Sequence, residues 1–148
     1  MSELRDLYQE VILDHNKHPR HFGRLEGATH QARGHNPLCG DQVEVFIAVD
    51  GDTVREATFE GDGCAICTAS ASLMTEAVQG RALIEVEALF KRFHRIVTDE
   101  RAEIDPALGK LAVLAGVRDY PTRVKCATLP WHTLHAALSR QSEVSTEV

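Results

Sequence analysis

The chain has 148 residues, 43% hydrophobic and 26% charged, proportions of one globular domain with enough core to fold without disulfides. A formal net charge of −6 disfavours nucleic acid, whose phosphates are held by Lys and Arg. No apolar run approaches the roughly 20 residues of a membrane span. The N-terminus, Met1-Ser2-Glu3-Leu4-Arg5-Asp6, is polar and acidic where an export signal is basic and then apolar, so a cytoplasmic protein is expected. The basic clusters at Lys17-His18-Pro19-Arg20 and Lys91 to Arg95 fall on helical patterns and read as solvated or docking surface.

Leu4, Leu7, Tyr8, Val11 and Ile12 recur at helical spacing and predict a first helix ending near Pro19. Val43, Val45, Ile47 and Val49 alternate as in a strand. Asp50-Gly51 signals a hairpin into a second strand over Val54 to Glu60, and Ala28 to Gly34 supplies a third. From Ile66 the period changes to that of helices. The first carries the small residues Ala69-Ser70-Ala71-Ser72 and stops at Gly80, and the next shows a stripe from Val86 to Val97. Asp105-Pro106 opens a third helix ending at Gly116, and Pro121 opens the last, which Pro130 should break or kink. The expectation is an α+β fold: a small antiparallel three-stranded sheet with one N-terminal helix and the C-terminal helices packed on it. It forms a single domain over residues 1–148 with a frayed, aperiodic tail at 141–148.

All four cysteines fall in three short segments: Asn36-Pro37-Leu38-Cys39-Gly40-Asp41, Gly63-Cys64-Ala65-Ile66-Cys67 and Arg123-Val124-Lys125-Cys126-Ala127. Outside an oxidising compartment such cysteines point to metal or sulfur chemistry. Cys39, Asp41, Cys64 and Cys126 would make a tetrahedral site of three thiolates and a carboxylate, suited to zinc or an iron–sulfur cluster. Asp41 is the hardest donor and the obvious one to leave. Cys64 precedes a helix, where the positive N-terminus favours thiolate, and Arg123 and Lys125 flank Cys126 as supporting or docking charges. Cys67, one turn after Cys64, is either an alternative ligand, half of a redox pair, or an inert buried thiol. His15, His18, His21, His132 and His135 lack the spacing of a metal site and read as surface or hydrogen-bonded residues.

These three segments in this order resemble the U-type iron–sulfur cluster assembly proteins, over about residues 4 to 140. Leu7-Tyr8 to Asp14-His15, followed by Pro19-Arg20, fits as well. The chain is more similar to the SufU branch than to the IscU branch. Lys125 stands where IscU carries a histidine ligand, the IscU chaperone-binding motif is absent, and the stretch between Cys64 and Cys126 is longer. The resemblance implies zinc on Cys39, Asp41, Cys64 and Cys126. It also implies sulfur transfer from the persulfide of a SufS-type, PLP-dependent cysteine desulfurase to Cys39, and onward to the SUF cluster scaffold. In the family a desulfurase histidine takes over the zinc and frees this cysteine. Serine usually occupies position 67, so Cys67 here leaves a four-cysteine set open. Two other readings stand beside the sulfur carrier: a scaffold on which a cluster is built, and a zinc-stabilised binding module without chemistry.

Overall fold

A computed structural model describes residues 2–99, 101–103 and 105–145, with side chains from residue 9 onward. Its elements are α1 (Ser2–Lys17), β1 (His30–Asn36), β2 (Asp41–Asp50), β3 (Thr53–Asp62), α2 (Ala65–Val78) and α3 (Leu83–Thr98). A 3₁₀ segment (Pro106–Asp119), α4 (Pro121–Leu138) and β4 (Glu143–Ser145) follow. The fold is α+β, and among the described residues no helix is long and apolar enough to cross a membrane.

The sheet has four strands in the order β3-β2-β1-β4, not the three expected. β2 pairs antiparallel with β1 and, through the Asp50-Gly51 hairpin, with β3. β4 adds to the free edge of β1 in parallel, setting Arg33 against Glu143 and Gly34 against Val144. Part of the segment read as an aperiodic tail is therefore a strand. An open edge on β1 recruits it without any apolar period, because unpaired strand groups attract any extended backbone. Residues 146–148 of that tail, and the Leu4, Leu7 and Tyr8 side chains of the first helical stripe, lie outside what is described.

One buried cluster joins Val43, Val45 and Ile47 of β2 to Leu73 and Met74 of α2, Phe93 of α3 and Trp131 of α4. Trp131 is fully buried and stacks on Phe93 with ring centroids 4.7 Å apart. The small residues of α2 do what their size permits. Ser70 donates to the Ala127 carbonyl of α4 at 2.5 Å, and Ser72 bonds His15 Nδ1 of α1 at 2.7 Å. The Ser70 bond fixes α2 against α4, and so Cys64 against Cys126, while the Ser72 bond fixes α1 on α2.

Two expectations about helices need correction. α4 continues through Pro130 without a break. The missing N–H costs one bond, while Ala127, Leu129, Trp131 and Leu134 on both sides are buried and hold the helix in place. The segment opened by Asp105 is 3₁₀, kinked at Gly109 (φ 54°), and runs past Gly116 to Asp119. Its start is as expected: the Asp105 carboxylate accepts from the Ala107 N–H at 2.9 Å.

Candidate metal centre

The β1–β2 turn presents Cys39. The Asn36 carbonyl accepts from the N–H groups of Cys39 at 3.3 Å and Gly40 at 2.9 Å, and Asn36 Oδ1 accepts from the Leu38 N–H at 3.2 Å. Gly40 turns the chain at φ 72°, a left-handed conformation glycine adopts without penalty. Asp41 then opens β2 opposite Asn36 and is only 1% exposed.

Cys64 arrives from the other side. Gly61, at φ 154°, lies so close to β2 that a Cβ there would strike the Gln42 carbonyl. This approach brings the end of β3 beside Asp41. Cys64 caps α2: its sulfur accepts from the Cys67 N–H at 3.4 Å. The Cys64 N–H itself donates to Asp41 Oδ1 at 2.8 Å. The cap is thus tied to the strand bearing the carboxylate. Cys126 completes the group from the second turn of α4, fully buried.

The donor atoms of Cys39, Asp41 and Cys126 all lie within 4.8 Å of one another. Cys39 and Cys126 sulfurs are 3.5 Å apart, close to the roughly 3.8 Å that tetrahedral Zn–S bonds of about 2.3 Å impose. Cys64 is not in that trio but adjoins it, with its sulfur 3.8 Å from Asp41 Oδ2. Cys67 is 2% exposed, behind Gly63.

The charges are unequal. A hydrogen bond from the Cys126 thiol, with the Cys67 and Ile66 N–H groups, brings Cys64 down to about 6 from the ordinary thiol value. The same bond, together with burial and the adjacent Asp41, keeps Cys126 protonated far above its usual range. Burial first, then Asp41 and Cys64, also pushes the Cys67 thiol well up. Exposed Arg123 is raised first by the negative charge of Cys64, so its guanidinium belongs to the site's surroundings. Half-buried Lys125 accepts through its backbone carbonyl from Thr128 Oγ1 at 3.4 Å.

Sequence reasoning gave no role to Asn36 beyond its place in the motif, yet it is wholly buried. Besides holding the turn, it points Nδ2 at Cys126 Sγ, 4.0 Å away. An Asn before a Pro-containing turn was the available signal, since its side chain readily bonds the backbone two residues on.

A soft, partly ionised set of three thiols and one carboxylate, drawn from a turn, a helix cap and a second helix, fits a thiophilic divalent ion. A family model described as the NifU-like N-terminal domain matches residues 7–127. The chain belongs to this family. It is 39% identical to the iron–sulfur cluster assembly scaffold protein IscU of Streptococcus pyogenes serotype M1, over 96% of this chain and 89% of that one. It is 37% identical to the zinc-dependent sulfurtransferase SufU of Bacillus subtilis, over 95% of each. The NifU-like fold recurs in the crystal structure of an iron–sulfur cluster assembly scaffold protein for the SUF system from Fervidobacterium islandicum. The TM-score is 0.81 at 37% identity, covering 87% of this chain and 94% of that one.

Proposed function

We propose that this member of the IscU/SufU group is a zinc-dependent sulfur carrier of the SUF system, with a SufS-type cysteine desulfurase as donor and the cluster scaffold as acceptor. The observation that carries the reading is the placement of three thiols around a nearly buried Asp41, with Cys39 alone on a turn. Cys39, Asp41, Cys64 and Cys126 would hold the ion. Zinc, when bound, keeps its thiolate ligands deprotonated and blunts them as nucleophiles.

Cys64 and Cys126 are anchored on helices packed together through Ser70 and Ala127. Cys39, half-buried like Cys64, is held only by its turn and not by a helix, so it is the sulfur that can most readily move out to a donor. Its thiolate attacks the outer sulfur of the desulfurase persulfide. A new S–S bond forms on Cys39, the donor's S–S bond breaks, and the donor cysteine leaves as thiolate. Exposed Arg123 and Leu38 border this opening, and Arg123 places positive charge where an anionic persulfide would enter.

The scaffold reading uses the same donors with a cluster as cargo, and the names of the Streptococcus and Fervidobacterium relatives favour it. Metal analysis of protein purified without chelator separates the two. Stoichiometric zinc supports the carrier, and brown, oxygen-sensitive iron with sulfide supports the scaffold. The carrier further requires that intact protein stimulate a cysteine desulfurase, that Cys67→Ser do the same with zinc retained, and that Cys39→Ser fail. Loss of zinc from Cys67→Ser would replace Asp41 by Cys67 in the donor set.

A further inference from the structure

Cys67 has no place in the four-donor set, yet its side chain faces that set. A Cβ on Gly63 would stand 3.3 Å from Cys67 Cβ, Cys67 Sγ and Asp41 Oδ1 alike, so one small gap adjoins all three. The Cys67 N–H donates to Cys64 Sγ at 3.4 Å and holds that sulfur over the first turn of α2. Residues three apart on a helix have Cα atoms about 5 Å apart, inside the roughly 4.4–6.8 Å range of disulfides. Access is unequal: Cys64 is half-buried, and Cys67 is 2% exposed. An outer thiol that meets solutes and an inner thiol that does not is the arrangement of an attacking and a resolving cysteine.

We propose that Cys64 and Cys67 are an oxidation site, closing into a reversible disulfide when the protein meets hydrogen peroxide. The Cys64 sulfur attacks the O–O bond and takes one oxygen as sulfenic acid, and the peroxide leaves as water. The Cys67 sulfur then displaces the hydroxyl, which departs with the Cys67 proton as a second water, and the S–S bond forms. Two thiols lose two electrons and the peroxide gains them. A dithiol reductant restores both thiols by exchange. The closing step stays within one helical turn, so no element has to move. Its consequence for the metal rests on the zinc reading above: Cys64 in a disulfide is no longer a thiolate donor, so zinc leaves until the thiols return.

The rival within the site is Cys39 with Cys126, whose sulfurs are 3.5 Å apart and span a turn and a helix. The full chain, chelator-treated or zinc-loaded, is exposed to a several-fold molar excess of hydrogen peroxide, quenched with an alkylating reagent and mapped by peptide mass spectrometry. The expected product is a disulfide inside the peptide carrying Cys64 and Cys67, fully reversed by dithiothreitol. Cys67→Ser should instead accumulate Cys64 sulfinic acid that dithiothreitol does not reverse. Cys67→Ala repeats the comparison without a buried hydroxyl, and circular dichroism verifies the fold of both. A Cys39–Cys126 disulfide as the main product, or equal sulfinic acid in wild type and both variants, overturns the proposal. Zinc release is followed separately with a chromogenic chelator. A Cys64–Cys67 disulfide formed with zinc still bound leaves the oxidation site standing and removes Cys64 from the ligand set.

Discussion

Replacing Asp41 tests the centre most directly, because its two oxygens have different tasks. Oδ1 accepts the Cys64 N–H at 2.8 Å and so ties the start of α2 to β2, whereas Oδ2 faces the Cys64 sulfur at 3.8 Å. In Asp41→Ala the Cys64 N–H loses its acceptor in a site that is almost closed to water. A hydrogen bond to a charged group contributes about 1.5–3 kcal/mol, so metal-free protein should lose about 2 kcal/mol. For a chain of this length that is a fall of about 4–8 °C in melting temperature. Asp41→Asn keeps an acceptor for the N–H and should retain most of that stability. Zinc affinity should fall in both variants, though less than in Cys64→Ala, since three sulfur donors remain. Thermal melts of chelated protein with zinc titrations measure both effects. An unchanged melting temperature in metal-free Asp41→Ala, or an equal loss in Asp41→Asn, would refute the structural task given to Oδ1. A cluster that persists in anaerobically reconstituted Asp41→Ala would count against the carrier and for the scaffold.

Stripping zinc should lower the melting temperature steeply while leaving far-ultraviolet dichroism largely intact. A structural zinc site holds about 10 kcal/mol or more of binding free energy, but the buried cluster from Val43 to Trp131 also holds the helices on the sheet, and an unchanged melt after chelation sinks the closed site. In metal-free protein the Cys64 thiol, brought down to about 6, adds stability that is fully present above the ordinary thiol value and lost as pH falls through about 6. The melting-temperature gap between wild type and Cys64→Ser should therefore widen as pH rises across that window. Cys126, held protonated, acts in the opposite sense and only above the ordinary thiol value. A gap that is flat with pH contradicts the lowering of the Cys64 thiol. Gly34→Ala would drive a methyl group into Thr133 Oγ1 and within 3.1 Å of Leu129 Cδ1, pushing α4 off β1. Overpacking of this kind costs about 1–3 kcal/mol, so a lower melting temperature with weaker zinc binding through Cys126 is expected, and calorimetry with metal titration checks it.

The parts of the fold legible in the sequence were those with a period or a punctuating residue. Val43 to Val49 alternate because one side of β2 faces the helices, and Asp50-Gly51 placed its hairpin. β1 lies two residues beyond the Ala28 to Gly34 reading, since Gln31, Arg33 and His35 are exposed and no apolar alternation marks its ends. β4 was illegible for a stronger reason: three mostly exposed residues pair only because β1 offers an edge. Cys39, Asp41 and Cys126 were readable as a group from the rarity of cysteine and the turns around it. That Cys64 would meet them mainly through Asp41 was not, because a backbone N–H leaves no mark in a sequence. Gly34 was equally silent: its reason is a Thr133 side chain a hundred residues away, not a turn.

The sequence made Asp41 the ligand most free to leave, and the structure qualifies that freedom. A carboxylate that departed whole would strand the Cys64 N–H and loosen the cap of α2 just when the site must keep its shape. With Oδ1 held by that N–H and Oδ2 turned to the Cys64 sulfur, Oδ2 can open while the helix start stays bonded. The thiols divide in the same manner. Cys64 and Cys126 sit on packed helices, whereas Cys39 sits on a turn whose backbone bonds all return to Asn36. Three thiolates and a carboxylate this close repel one another strongly in a low-dielectric site, so the metal-free protein retains protons that a divalent ion must displace. Metal entry and exit therefore carry protons with them, and the turn bearing Cys39 can yield with the least loss of packing.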